Sequence, residues 1–266
     1  MNDQYTLITG ASSGIGKAIA ECCARRQMNL ILVALPGENL EELSNSIANI
    51  HRVKVQFLEL DLTQPMAPDE LIRWCRKMGV QVNVLVNNAG MGYQGNFSDF
   101  DASFYKNLIA LNVVALTMLT REFLPELKIQ KKAHILNVSS IGGFYPMPFK
   151  AVYAASKSYV TTFSEALYEE LKNTSVSVST LCPAGVDSYD DSTERINKIG
   201  WIAKLGRLRP SQVAEAAVNG MLNQKRRIIP GAINVFFHYL TRTLPTRTKA
   251  WLVHQVLMKF HHPVRH

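Results

Sequence analysis

Carboxylates stop at Glu215. Beyond it the chain holds none, while Lys225, Arg226, Arg227, Arg242, Arg247, Lys249, Lys259 and Arg265 follow. These eight cations account for the whole net charge of +8, leaving 21 basic and 21 acidic residues elsewhere. The excess is a basic tail, not a basic body. No cationic face interleaved with aromatics and no nucleic-acid reading motif accompanies it, which argues against a nucleic-acid partner. Cysteine is sparse: Cys22, Cys23, Cys75 and Cys182 form no C-x-x-C pair and have no histidine at metal-ligand spacing. That argues against a disulfide framework and a thiolate metal site, and points to reduced, buried thiols in a cytoplasmic protein. Low-complexity tracts, internal repeats and Pro- or Gly-rich linkers are missing, so neither disorder nor a solenoid is expected. The opening "MNDQYTLITG" lacks the basic start and apolar core of a secretory leader.

What is present is ordinary globular material, 266 residues of which 47% are hydrophobic, enough for one large domain. Strand-like runs occur at 5–9, 30–35, 53–60, 82–88, 133–140 and 176–182, several of them continuously apolar, as in a parallel sheet covered on both faces. Helical patterns lie between them at 15–27, 38–50, 66–78, 103–128 and 150–173, and "RRIIPG" (226–231) reads as a last short strand. This alternation predicts an α/β fold, a doubly wound parallel sheet of about seven strands with right-handed crossovers. Residues 1–230 form its body. The connection at about 184–209 is too long for a plain loop and is read as a lid.

Two stretches carry chemistry. "TGASSGIGK" (9–17) follows the first strand and opens the first helix. Glycines there let backbone approach a diphosphate, and a helix start offers free N–H groups. "AVYAASKSYV" (151–160) places Tyr153 and Lys157 four residues apart, on one helical face, among alanines and serines. With "NNAG" at 87–90, the chain resembles the short-chain dehydrogenase/reductase family in its compact single-domain form, over residues 5 to about 230.

The resemblance implies a nicotinamide-dependent oxidoreductase with a tetrad of Asn112, Ser140, Tyr153 and Lys157. Tyr153 would be the general acid/base, Ser140 would stabilise charge on the substrate oxygen, and Lys157 would hold the nicotinamide ribose. Asn112 would support a water joining the lysine to solvent. Strand alternation turns Ser139 to the opposite face, which favours Ser140. A phenol has a pKa of about 10, and bringing it to about 7 takes about 4 kcal/mol; the neighbouring ammonium is expected to lower it. Cofactor contacts are expected from Gly10, Ser12, Ser13, Gly14, Ile15, Gly16, Asp61, Leu62, Asn88, Ala89, Gly90, Pro183, Val186 and Ser188. No step needs a metal.

Two places depart from the family pattern. "PAGVDS" (183–188) stands where P-G-x-V-x-T is usual, with Ser188 for threonine. The second strand ends at Leu35 and Pro36, where an acid would select NAD or an arginine would meet the phosphate of NADP. Lacking the repelling acid, the site leans to NADP, with NAD the alternative. Ile141, Phe144, Met147 and Phe149, with Tyr189, Ile199, Trp201, Ile202 and Leu205 on the lid, suit a lipophilic ketone or alcohol.

The alternatives are a sugar-nucleotide epimerase, for which an extra substrate domain is lacking, and a non-catalytic dinucleotide sensor, against which the intact Ser140, Tyr153 and Lys157 stand. The tail 231–266 reads as two short amphipathic helices broken near Pro245, with no uncharged run of about 18 residues to span a bilayer. It fits a helix pair on an anionic membrane surface, and equally one closing the pocket or packing on a sister subunit. Helices 103–128 and 150–173 are the family's association surfaces, which implies a homodimer or homotetramer.

Overall fold

A computed structural model describes residues 4–186, 206–242 and 244–258. Seven parallel strands form one sheet in the order β3-β2-β1-β4-β5-β6-β7. They are β1 (Gln4–Thr9), β2 (Asn29–Ala34), β3 (Val55–Glu59), β4 (Gln81–Asn87), β5 (Ala133–Val138), β6 (Val176–Leu181) and β7 (Arg227–Ile228). The continuous apolar runs become β1, β2, β4 and β5, buried almost throughout, while the more polar "VQFLE" of β3 takes the half-exposed edge. The sheet thus bears out the doubly wound α/β expectation.

Helices cover both faces. On one side α1 (Gly14–Arg25), α2 (Leu40–His51) and α7 (Pro210–Leu222) pack Ile19, Leu40 and Val218 against Leu30, Val84 and Leu136. On the other, α3 (Ala67–Lys77), α5 (Leu116–Lys128) and α6 (Ala151–Leu171) pack Leu71, Phe123 and Leu171 against Leu7, Leu85 and Ile135. The strand order reverses between β1 and β4, and the crevice beyond their carboxyl ends is where this class of sheet takes ligands.

The single helix expected at 103–128 is three pieces: α4 (Ala102–Ile109), a π-helical turn at Ala110–Ala115 and α5. The wider turn carries Asn112, whose buried amide is held by backbone outside the helix. By length and composition Ala102–Lys128 could cross a membrane. It packs instead along the sheet, with Leu119, Phe123 and Leu127 in the core. β7 is shorter than 226–231 because Pro230 cannot donate to the ladder and Gly231 turns away at φ +86°. The tail forms α8 (Ala232–Arg242) and α9 (Thr246–Met258), as its sequence pattern suggests. All four thiols are free and buried, and burial pushes those of Cys23, Cys75 and Cys182 up to about 12.

Candidate active site

Three carboxyl-end loops meet at the switch point. The β1–α1 loop packs on the β4 end through Thr9, whose Oγ1 accepts the Asn88 and Ala89 N–H groups at 3.0 Å each. Asn88 returns the contact, its Nδ2 donating to the carbonyls of Thr9 (2.9 Å) and Gly10 (3.0 Å). Asn88 therefore fixes the shape of the glycine turn. Gly16 leaves no choice of residue: a Cβ there would lie 2.0 Å from the Gly10 carbonyl oxygen and 2.5 Å from Asn88 Nδ2.

Gly14 differs. At φ +53° a Cβ would meet nothing within 4 Å, and Ser13 makes no side-chain cap to the start of α1. The result is an open cradle at a helix N-terminus with no acidic residue in its first turn, which fits a diphosphate. Ser12, Ser13 and Ile15 border it. Leu62 is buried behind Asp61, whose carboxylate accepts from the Thr63 N–H and Oγ1 and from Gln64 Nε2. The Gln64 bond first, then those from Thr63, hold its pKa below the usual carboxylate range. Pro183 and Val186 stand at the β6 end, where Pro183 accepts the Ile141 N–H and Val186 pairs with Leu208. Ser188 lies outside the described residues, as do Tyr189, Ile199, Trp201, Ile202 and Leu205.

The four residues of the expected tetrad converge across β4, β5 and α6. Ser140 caps the short helical turn 141–144, accepting the Gly142 N–H at 3.1 Å, and its hydroxyl and the Tyr153 ring both border Gly142, where a Cβ would lie 3.4 Å from Ser140 Oγ and 3.7 Å from Tyr153 Cε1. Ser139 points the other way, donating to the Lys157 carbonyl at 2.7 Å and meeting Thr161. Lys157 is buried and donates to the Val138 carbonyl at 2.9 Å, its Nζ 6.0 Å from the Tyr153 ring centre. Asn112 accepts the Met91 N–H (2.8 Å) and donates to the Met91 carbonyl (2.9 Å) and Ser156 Oγ (3.0 Å). Its side chain thereby clamps the β4 end to α6. Beside Gly90 a Cβ would come 3.1 Å from Asn112 Oδ1 and 3.2 Å from Lys157 Nζ.

The electrostatics correct one expectation. The ammonium was expected to draw the phenol down, but in the protein itself burial raises the Tyr153 pKa, and the Ser140 hydroxyl opposes this only in part. Burial likewise pulls Lys157 down to about 8 from 10.5. Both groups have lost water, which disfavours phenolate and ammonium alike, and the ammonium is turned toward a backbone carbonyl.

Two contributors, Gly143 and Tyr93, escape the sequence reading, and a residue it does name, Phe149, has an unforeseen backbone. Gly143 lets α6 touch the Ser140 turn: a Cβ there would sit 2.7 Å from the carbonyl carbon and oxygen of Lys157. Gly143→Ala is expected to push α6 outward, costing about 1–3 kcal/mol of stability and at least about tenfold in kcat, read by denaturant melts and steady-state rates. Tyr93 accepts the Val152 N–H at 3.1 Å, capping α6 where Lys150 supplies no side-chain cap. Phe149 takes φ +63°, rare for a bulky residue, directly before α6. The signal for Gly143 lay in the doubled glycine of "SSIGGF"; for Tyr93 and for the backbone of Phe149 there was none.

Comparison with known proteins agrees with this geometry. The sequence model of the short chain dehydrogenase family matches residues 4–198. A bovine (Bos taurus) very-long-chain 3-oxoacyl-CoA reductase is 33% identical over 185 residues, covering 68% of this chain and 58% of its own length. This chain thus spans about three-fifths of the length of that curated relative. A short-chain dehydrogenase from Sphingobium yanoikuyae, solved with NADPH, is 29% identical, with a TM-score of 0.75 over 99% of this chain and 98% of its own. A bulky-bulky ketone specific alcohol dehydrogenase from Comamonas testosteroni is 26% identical, also at 0.75, over 100% and 98%. The chain belongs to the short-chain dehydrogenase/reductase family.

Proposed function

We propose that the protein interconverts a lipophilic ketone or aldehyde and its alcohol, with Tyr153 as general acid/base. The observation that carries this is the Ser140–Tyr153 hydroxyl pair at the sheet's carboxyl edge, with the phenol's pKa raised by burial. A phenol that keeps its proton is the donor form a carbonyl oxygen requires. A nicotinamide held at this site would supply or take the hydride, and the proton would be moved by this chain's own residues. Ser140 would hold the substrate oxygen and stabilise its developing charge. Tyr153 would give that oxygen its proton, and Lys157 would position the ribose. Ile141, Phe144, Met147 and Phe149, all half-buried beside Ser140, support an apolar substrate. The similarity to a very-long-chain 3-oxoacyl-CoA reductase and to a bulky-bulky ketone specific alcohol dehydrogenase points the same way. The half-exposed Ile109, Val114, Met118 and Tyr159 on α4, the π turn, α5 and α6 favour a homodimer or homotetramer through those helices.

NADP is the proposed cofactor. Leu35, half-exposed at the end of β2, offers no carboxylate to accept ribose hydroxyls or to repel a phosphate. A carboxylate of the phosphate's own sign is fixed nearby: Glu59 Oε1 accepts the Gly37 N–H at 3.3 Å, beside the same loop. Titration with NADPH and NADH, followed by NADPH consumption with a panel of lipophilic ketones, tests the reading. Turnover confined to polyhydroxylated substrates would overturn it. Glu59→Gln is expected to shift the ratio of the two dissociation constants about fivefold toward NADPH, the worth of one partly screened charge.

A further inference from the structure

Both tail helices expose large apolar side chains and turn polar ones inward. α8 turns its polar residues inward: Asn234 is buried and donates to the carbonyls of Gly206 and Pro230 at 2.8 Å each, and His238 packs on Phe144 with ring centres 4.2 Å apart and lies 3.2 Å from Arg227 Nη1. Outward, on one helical face, it presents Phe236 (62% exposed), Tyr239 (59%) and Leu240 (54%). α9 shares part of the pattern, with Arg247, Thr248 and Gln255 exposed beside its apolar residues. His254 stacks on Phe149 at 5.6 Å, while Trp251 (59%) and Leu252 (41%) face outward. A surface helix of a soluble domain does the reverse. Phe144 and Phe149 flank Ser140 and the start of α6, so the inner sides of these helices form one wall of the proposed substrate pocket, and their outer sides are an apolar surface.

Charge selects what covers that surface. No carboxylate follows Glu215, and the described part of the tail carries Arg242, Arg247 and Lys249, with Lys259 and Arg265 beyond. A sister copy packed face to face would bring like charges together with nothing of opposite sign, because a two-fold interface meets itself. An anionic bilayer supplies the missing charge and takes aromatic side chains at its interface. We infer that α8 and α9 dock on an anionic lipid surface through Phe236, Tyr239, Leu240, Trp251 and Leu252, so that a lipophilic substrate reaches the Phe144–Phe149 wall from the membrane. The route of entry rests on the lipophilic-substrate reading; the docking itself does not.

Sedimentation with lipid vesicles tests the docking without any turnover. Binding to phosphatidylcholine vesicles containing phosphatidylserine is expected to be at least about tenfold tighter than to phosphatidylcholine alone, and to weaken as salt rises. The double variant Trp251→Glu and Leu252→Glu should no longer sediment, yet keep its dinucleotide affinity and its rate on a short, water-soluble ketone. With a long-chain ketone delivered in vesicles, only KM should rise. Equal binding to both vesicle types, or none to either, overturns the proposal. So does a concentration-dependent dimer that the double variant abolishes while vesicle binding is absent. Vesicle binding together with inactivity on every ketone would leave the docking standing and sink the substrate reading instead.

Discussion

Tyr153→Phe is expected to lower kcat by at least about a hundredfold while leaving the dinucleotide dissociation constant unchanged. The substitution removes one oxygen and keeps the ring, which packs beside Gly92, where a Cβ would lie 3.3 Å from its edge. The fold around Ser140 should therefore survive, and the loss belongs to proton transfer. Because burial raises the phenol's pKa, the wild-type reduction rate should stay level through neutral pH and fall only on the alkaline side, as the donor loses its proton. Steady-state rates across pH, with the dinucleotide titration run on both forms, make the test. Equal turnover by wild type and Tyr153→Phe would remove the phenol from the mechanism. A fall in dinucleotide affinity matching the fall in rate would make the residue a binding group.

Much of this was legible in the sequence because it depends on composition over several residues. Continuously apolar runs gave the buried strands, while the edge position of the more polar β3 appeared only with the sheet order. "TGASSGIGK" and Tyr153–Lys157 were visible because close backbone approach demands glycine and a shared helical face demands four-residue spacing. What stayed hidden depends on single backbone placements. The π turn at Ala110–Ala115 shifts the helix by one residue, too little to disturb a hydrophobic period, yet it sets where Asn112 sits. Gly143 reads as an ordinary turn glycine until the helix it touches is in place. The role of Glu59 needed β2 and β3 paired, Ala34 opposite Glu59, before its carboxylate could be brought to Gly37. The direction of the Tyr153 shift was misread for a different reason. Spacing reveals that a cation is near but says nothing of how much water both groups lose, and here the loss decides.

That same loss makes Lys157 a residue the fold holds at a cost. Its folded-state pKa of about 8 stands well below the ordinary 10.5, so at pH 7 the buried ammonium destabilises the protein by about 3 kcal/mol relative to its solvated form. Methionine fills a similar volume without charge, at the expense of the 2.9 Å bond to the Val138 carbonyl, worth about 1 kcal/mol. Lys157→Met is therefore expected to be more stable than wild type at pH 7 by about 2 kcal/mol, and to lose at least about a hundredfold in activity together with dinucleotide affinity. The sign follows from proton counting. Below pH 8 both folded and unfolded wild type hold the lysine proton, and the gap is constant. Between about 8 and 10.5 only the unfolded chain keeps it, so wild-type stability rises relative to the variant by about 1.4 kcal/mol per pH unit, and the gap closes near about pH 9.5 and reverses above it. Denaturant unfolding of both proteins from pH 7 to 10.5 measures this directly. A variant less stable at pH 7, by an amount that does not change with pH, would show that the ammonium is solvated in solution, and the buried proton-holding site argued for Lys157 would be wrong.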